Sequence, residues 1–292
     1  MEAITHCPVC NHTQFSPYLV CKDYLVSNQE FSIQQCLNCS FRFTNPRPNA
    51  DEIGSYYKSD QYVSHNDSSS GPVNTVYRLV RNYTLRTKLK LINTLHTGTG
   101  RLLDVGCGTG AFLEICQKGG WQVAGMEPDP DARTIAATKL NVDIKPTLKS
   151  IGLEKPFDII TLWHVLEHIA DIDLALQTLH ALLSEKGSLL IAVPNSDSYD
   201  AQYFKQYWAA YDVPRHLHHF TPKTIEPLFK KYGFSLVGQR PMVFDAYYIS
   251  MLSTRYQTGK TDYIKSFQIG LKSNMEASRT GNSSSITYLF KK

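Results

Sequence analysis

Three residue sets in this 292-residue chain have the types and spacing to do chemistry. The first is Asp104-Val105-Gly106-Cys107-Gly108-Thr109-Gly110, an acid followed by alternating glycines. Glycines so placed take the positive φ values of a tight turn and leave bare backbone for a ligand to lie against. A helix starting at Ala111 would add unpaired N–H groups and the positive end of its dipole. The second set is Cys7-Pro8-Val9-Cys10 with Cys36-Leu37-Asn38-Cys39. Two such knuckles supply the closed tetrahedral thiolate shell of a structural zinc ion, so Cys7, Cys10, Cys36 and Cys39 are the expected ligands. A module that small would draw its folding free energy from the metal. The third set is Arg215-His216-Leu217-His218-His219-Phe220. Its imidazoles titrate near neutral pH and could take a proton from an acceptor, while the guanidinium could grip a carboxylate or phosphate.

Positioning these sets takes alternating strands and helices. Strands are expected at 101–105, 121–126, 142–145, 157–162, 187–193 and 234–240, with an edge strand over 284–292. Helices are expected at 110–119, 129–140, 166–169, 173–184 and 222–232, with two more between 245 and 278 and a lead-in helix from 73 to 95. That alternation implies an α/β fold with a parallel sheet and helices on both faces. The chain then divides into a zinc-ribbon-like module over 1–45, a segment over 46–98, and a core domain over 99–292. The 46–98 segment joins a tyrosine-rich lid, a polar linker and the lead-in helix, and the core domain carries an aromatic, histidine-rich insertion over 195–221.

The Asp104 to Gly110 run resembles motif I of the class I S-adenosylmethionine (SAM) methyltransferases. Gly106-x-Gly108-x-x-Ala111 also fits the dinucleotide fingerprint. Asp104, the third glycine and the bulky Trp163-His164 pair after a later strand favour SAM. The resemblance implies a seven-stranded Rossmann-like sheet whose last strand is antiparallel. It implies that Asp104, Gly106, Cys107, Gly108 and Gly110 hold the methionine end of SAM and that Glu127 bonds its ribose hydroxyls. Trp163 and His164 would line the adenosine and the methyl path, as in the small-molecule enzymes related to the ubiquinone pathway. The knuckles, the segment Asp60-Gln61-Tyr62-Val63-Ser64 and the R-H-L-x-H-F string make the layout similar to the deoxysugar C-methyltransferases. That likeness implies His216 or His218 as the base, with Tyr62 and Trp208 enclosing the acceptor. It leaves open which of His216, His218 and His219 faces the pocket. Those enzymes commonly carry an E-H pair where this chain has Arg215-His216, so carbon, oxygen and nitrogen acceptors stay open. His168, lacking the H-E-x-x-H order of zinc proteases, reads as a packing residue.

With 42% hydrophobic residues there is material for a full core, and the net charge of +4 does not argue for nucleic acid. The expected partner is a small-molecule acceptor. An RNA methyltransferase with a zinc finger is the alternative, although no N/D-P-P-F/Y tetrad follows the 157–162 strand; a non-catalytic SAM-binding module is another. Arg78, Arg81, Arg86, Lys88 and Lys90, with no acid between them, read as a solvated helix face. No run approaches the roughly 18 apolar residues of a membrane span. Met1-Glu2-Ala3-Ile4 lacks the basic start and apolar run of a leader, and the seven cysteines suit a reducing compartment, so the cytoplasm is the expected address. The oligomeric state is not legible.

Overall fold

The computed structural model describes residues 1–57 and 72–292. Tyr62 and the 60–64 segment lie outside the described residues. The N-terminal region forms β1 (Phe15–Lys22), β2 (Glu30–Cys36) and β3 (Arg42–Thr44), paired antiparallel in sequence order. The fourth strand of that sheet, β8 (His218–His219), comes from the insertion and pairs with β3.

The larger sheet contains β4 (Arg101–Val105), β5 (Gln122–Met126), β6 (Phe157–Trp163), β7 (Leu183–Pro194), β9 (Ser235–Pro241) and β10 (Ser285–Lys291). Its order is β5-β4-β6-β7-β10-β9; the first four strands run parallel, and β10 is antiparallel to both neighbours. Strands covered on both faces read as unbroken apolar runs. Leu102, Leu103, Ile159, Ile160 and Leu189 to Val193 accordingly have almost no exposed surface.

Among the described residues the sheet has six strands, not the expected seven. Residues 142–145 make a single parallel bridge, Met126 to Lys145, in which the Lys145 N–H donates to the Gly125 carbonyl and the Glu127 N–H to the Lys145 carbonyl. The 284–292 strand is not an edge either: β10 is buried on both faces between β7 and β9, and β9 forms the exposed margin.

The helices are α1 (Pro72–Leu95), α2 (Ala111–Lys118), α3 (Pro130–Leu140), α4 (Ile172–Leu182), α5 (Tyr199–Phe204), α6 (Pro222–Lys230), α7 (Asp245–Thr258) and α8 (Tyr263–Thr280). The Asp129 carboxylate caps α3 by accepting from the Ala132 N–H. One apolar cluster joins Cys21, Phe31 and Ile33 of the N-terminal sheet to Phe204, Trp208, Tyr211 and Val213 of the insertion and to Ile249 and Ile269 of the last two helices. The N-terminal region thus packs as part of the wall above the carboxyl ends of the parallel strands.

Candidate functional site: a glycine turn, a histidine cluster and a thiol cluster

β4 delivers the chain into the glycine turn. Gly106, Gly108 and Gly110 have φ of 71°, 54° and 76°, and the Gly106 and Cys107 N–H groups donate to the Met126 carbonyl, tying the turn to β5. The glycines are needed for different reasons. A Cβ on Gly106 would sit 2.5 Å from Val165, and one on Gly110 would sit 3.1 Å from Ala136 and Leu140. A Cβ on Gly108 would meet nothing within 4 Å. Space therefore opens above Gly108, beside the start of α2, whose first turn has no side-chain cap. Cys107 is buried below, and burial pushes its thiol up to about 12, so it is protonated.

Two carboxylates border that space. Glu127, at the end of β5, accepts from the Gly108 N–H at 2.8 Å and the Asp129 N–H at 3.0 Å. Burial raises its pKa against those two bonds. Asp104 accepts from the Thr161 hydroxyl at 2.6 Å, and burial raises it to about 7 although the Lys88 ammonium pulls the other way. Lys88 itself lies 4.0 Å over the Trp163 ring and is lowered by burial to about 8. Trp163 meets Phe112 edge-on at 5.6 Å.

Beyond β6 the chain turns sharply, with His164 at φ 58°. Its Nε2 lies 3.1 Å from Asp245 on α7 and its Nδ1 3.4 Å from Glu167. Burial alone would lower the imidazole; the two carboxylates outweigh it and raise the pKa to about 9.

The insertion brings His216 against this turn. Its Nδ1 faces the Ala210 carbonyl at 2.9 Å, and its ring lies 4.6 Å from that of His168. His168 Nδ1 is held by the Tyr57 hydroxyl at 2.9 Å and the Arg215 carbonyl at 3.1 Å; burial and then the nearby His216 lower its pKa to about 4. Ligand-type atoms of Glu167, His168 and His216 lie within 4.8 Å of one another. His218 does not join them: its Nε2 faces the Ile169 carbonyl at 2.9 Å, its ring packs on Phe41 and Phe220, and burial lowers it to about 3. His219 Nε2 pairs with the Thr44 hydroxyl at 3.1 Å. Trp208, expected to enclose the acceptor, is a core residue, because its indole N–H is needed by the buried Asp200 carboxylate at 2.7 Å.

Arg215 fixes the segment rather than facing open space. It is buried, donating to Asp212, to Asp23 of the N-terminal sheet at 3.0 Å and to the Tyr56 carbonyl at 3.0 Å. Sequence reasoning misses Lys88 and Asp245 as site residues, and it connects Glu167 with His164 and His168 only as a metal set without the H-E-x-x-H order. In the sequence Lys88 looks like one more cation of a solvated face, and no local spacing connects Asp245 with His164.

The four knuckle thiols also converge. Cys7 to Cys39 and Cys10 to Cys36 are each 3.5 Å between sulfurs, and all four lie within 4.8 Å. A zinc tetrahedron with ~2.3 Å Zn–S bonds needs sulfurs about 3.8 Å apart, so the donor set fits. Asn11 and Ser40 follow the knuckles with φ of 62° each, and their N–H groups close the turns on Cys7 and Cys36.

The same surroundings can be compared with known proteins. The ubiquinone biosynthesis O-methyltransferase of Nitrobacter winogradskyi is 30% identical over 161 residues, 50% of this chain and 61% of that protein. The enzyme of that name from Rhodopseudomonas palustris (strain BisB5) is 30% identical over 159 residues, 50% of this chain and 62% of that one. The chain thus spans about three fifths of the length of these curated relatives. The structure of magnesium protoporphyrin IX methyltransferase from Synechocystis PCC 6803 with bound SAH superposes with a TM-score of 0.54 at 13% identity, covering 81% of this chain and 97% of that one. That likeness shows the shared fold. The family model described as a methyltransferase domain matches residues 77–239, more than half of the chain, and the chain belongs to that family.

Proposed function

We propose that this protein transfers a methyl group from SAM to a hydroxyl of a small-molecule acceptor, with a zinc ion held structurally by Cys7, Cys10, Cys36 and Cys39. The observation that carries the SAM reading is the space above Gly108, which a Cβ would fill without touching protein, bordered by Glu127 and the uncapped start of α2. In this reading Glu127 bonds the ribose hydroxyls, the 106–110 backbone holds the methionine end with Asp104 beneath it, and Trp163 walls the crevice. The relatives' name supports an oxygen acceptor.

SAM, when bound, supplies an electrophilic methyl group. The chain's own residues then have to align the acceptor, exclude water and accept a proton. His216 is the candidate base. The Ala210 carbonyl accepts from its Nδ1–H, and its Nε2 lies 3.9 Å from the Asp212 carboxylate. His168 and Glu167 keep that imidazole in place. Zinc with four thiolates has no open position and serves folding alone.

Calorimetry tests the SAM reading. Wild-type protein is expected to bind SAM and SAH, and Glu127→Ala to weaken binding by about 1–3 kcal/mol through lost charged hydrogen bonds. Gly108→Val is expected to abolish binding by filling the cradle. Unchanged affinity in both variants, or tight binding of NAD instead, removes the assignment.

A further inference from the structure

The last long helix is amphipathic with its faces reversed. In α8 the residues turned to the protein are Ser266, Ile269, Gly270 and Ser273, mostly small or polar. Ser266 pairs with Thr254, and Ser273 donates to Asp200. Gly270 is required there, since a Cβ would press on Tyr247 at 2.6 Å. The outward stripe is Ile264, Phe267, Leu271 and Met275, spaced as one helical face, and exposed at 75, 58, 43 and 61%. Surface helices ordinarily do the opposite, so this stripe is not explained by the core.

It is also continuous with apolar surface on other elements. Phe267 stacks on Tyr247 at 5.4 Å, and Asn274 holds the Val243 carbonyl, placing exposed Val243 and Phe244 next to α8. Phe244 meets Tyr83 of α1 edge-on at 5.8 Å. On α1 the outward line runs Leu79, Tyr83, Arg86, Lys90, apolar first and cationic after. Contiguous apolar surface rimmed by polar groups marks an interaction face.

We propose that this face docks on an anionic lipid surface, with the α8 stripe entering the interface and lysines beside it meeting the headgroups. The charge pattern selects this occupant. Lys265, Lys272 and Arg279 recur one heptad apart along a single flank of the stripe. Glu276 lies on that flank but is taken up by Arg279 at 3.5 Å. Lys265 and Lys272 lie over the Tyr203 and Tyr199 rings, 5.8 and 4.8 Å from their centroids. A second copy packing antiparallel on the same stripe would set this cationic row against itself, whereas phosphate headgroups complement it.

Co-sedimentation of the full chain with vesicles tests the idea. Vesicles of phosphatidylcholine mixed with phosphatidylglycerol should carry the protein down, and vesicles of phosphatidylcholine alone should do so far less. The triple variant Ile264→Ser, Leu271→Ser, Met275→Ser changes only exposed side chains and should lower partitioning by about tenfold or more. Lys265→Gln with Lys272→Gln should cost roughly fivefold per cation removed and erase the preference for phosphatidylglycerol. Far-ultraviolet circular dichroism and SAM calorimetry verify that the variants stay folded. Failure to bind either vesicle overturns the proposal, as does a triple variant that binds like wild type. So does a self-associated form, seen by sedimentation equilibrium, that the triple substitution dissolves, since the stripe would then belong to a second copy.

Discussion

At the scale of single residues, the crevice sets a buried carboxyl against the charge of its proposed ligand. Asp104 is raised to about 7 by burial, so below neutrality it is largely protonated. A cationic ligand favours its anion, and binding in acid must first release that proton. SAM affinity should therefore climb from about pH 6 towards pH 8 and level off above, with the steep part, up to about tenfold per unit, below pH 7. Asp104→Asn should flatten the profile in calorimetry across that range. The histidines of the insertion separate in the same way. His216→Ala should lower turnover by about 10²–10⁴-fold with SAM affinity nearly unchanged. His218→Ala should instead lower the unfolding free energy, by about 1–3 kcal/mol, because its ring fills a buried junction and bonds the Ile169 carbonyl. Steady-state kinetics with an identified acceptor, beside urea unfolding, checks both. If turnover follows His218 rather than His216, the assignment of the base is reversed.

At the scale of elements, the decisive contact is the short pairing of β3 with β8. Phe43 opposite His218 and Arg42 opposite His219 stitch the knuckle sheet to the segment carrying His216. The Thr44 hydroxyl donates to the His216 carbonyl at 2.8 Å, and Arg42 bridges to Asp197 at 2.8 Å. Metal in the knuckles should thus be felt at the candidate base. Metal analysis of the purified chain is expected to find one zinc per molecule, lost when Cys36 and Cys39 are both Ser. That loss should reduce methyl transfer while leaving SAM affinity close to wild type, since the glycine turn hangs from β4 and β5. Zinc retained without those thiols would rule the metal site out. None of this coupling was visible in the sequence, because a two-residue strand has no periodicity of its own. The glycine turn, the knuckles and the parallel strands were visible because each is written in consecutive residues. Val142-Asp143-Ile144 alternates like a strand yet forms only one bridge, and β10 lies inside the sheet despite its place at the chain's end, because position along the chain does not report position within a sheet.

At the scale of the whole molecule, residues far apart in the chain meet in two places. The insertion reaches back to the N-terminal sheet, and β10 slots between β7 and β9. The N-terminal sheet, the insertion and the last two helices share one apolar cluster. Lys88 of α1, inside the matched family region, and Asp245 of α7, beyond its end, converge on Trp163 and His164. Such convergence is a property of packing, which is why Lys88 read as one cation among several on an exposed helix.

The place of β10 has a consequence for how the chain is made. A ribosome releases β9 before β10, yet among the described residues β9 has no partner in the sheet other than β10. During synthesis the finished β7 must therefore present an open margin, and β9 must wait beside it, until the later strand threads the gap between them. Cotranslational folding can complete the glycine turn early, but the sheet closes only after residues 285–291 emerge. A chain interrupted before that point would leave two strand margins uncovered, the state most exposed to pairing with a neighbouring nascent chain.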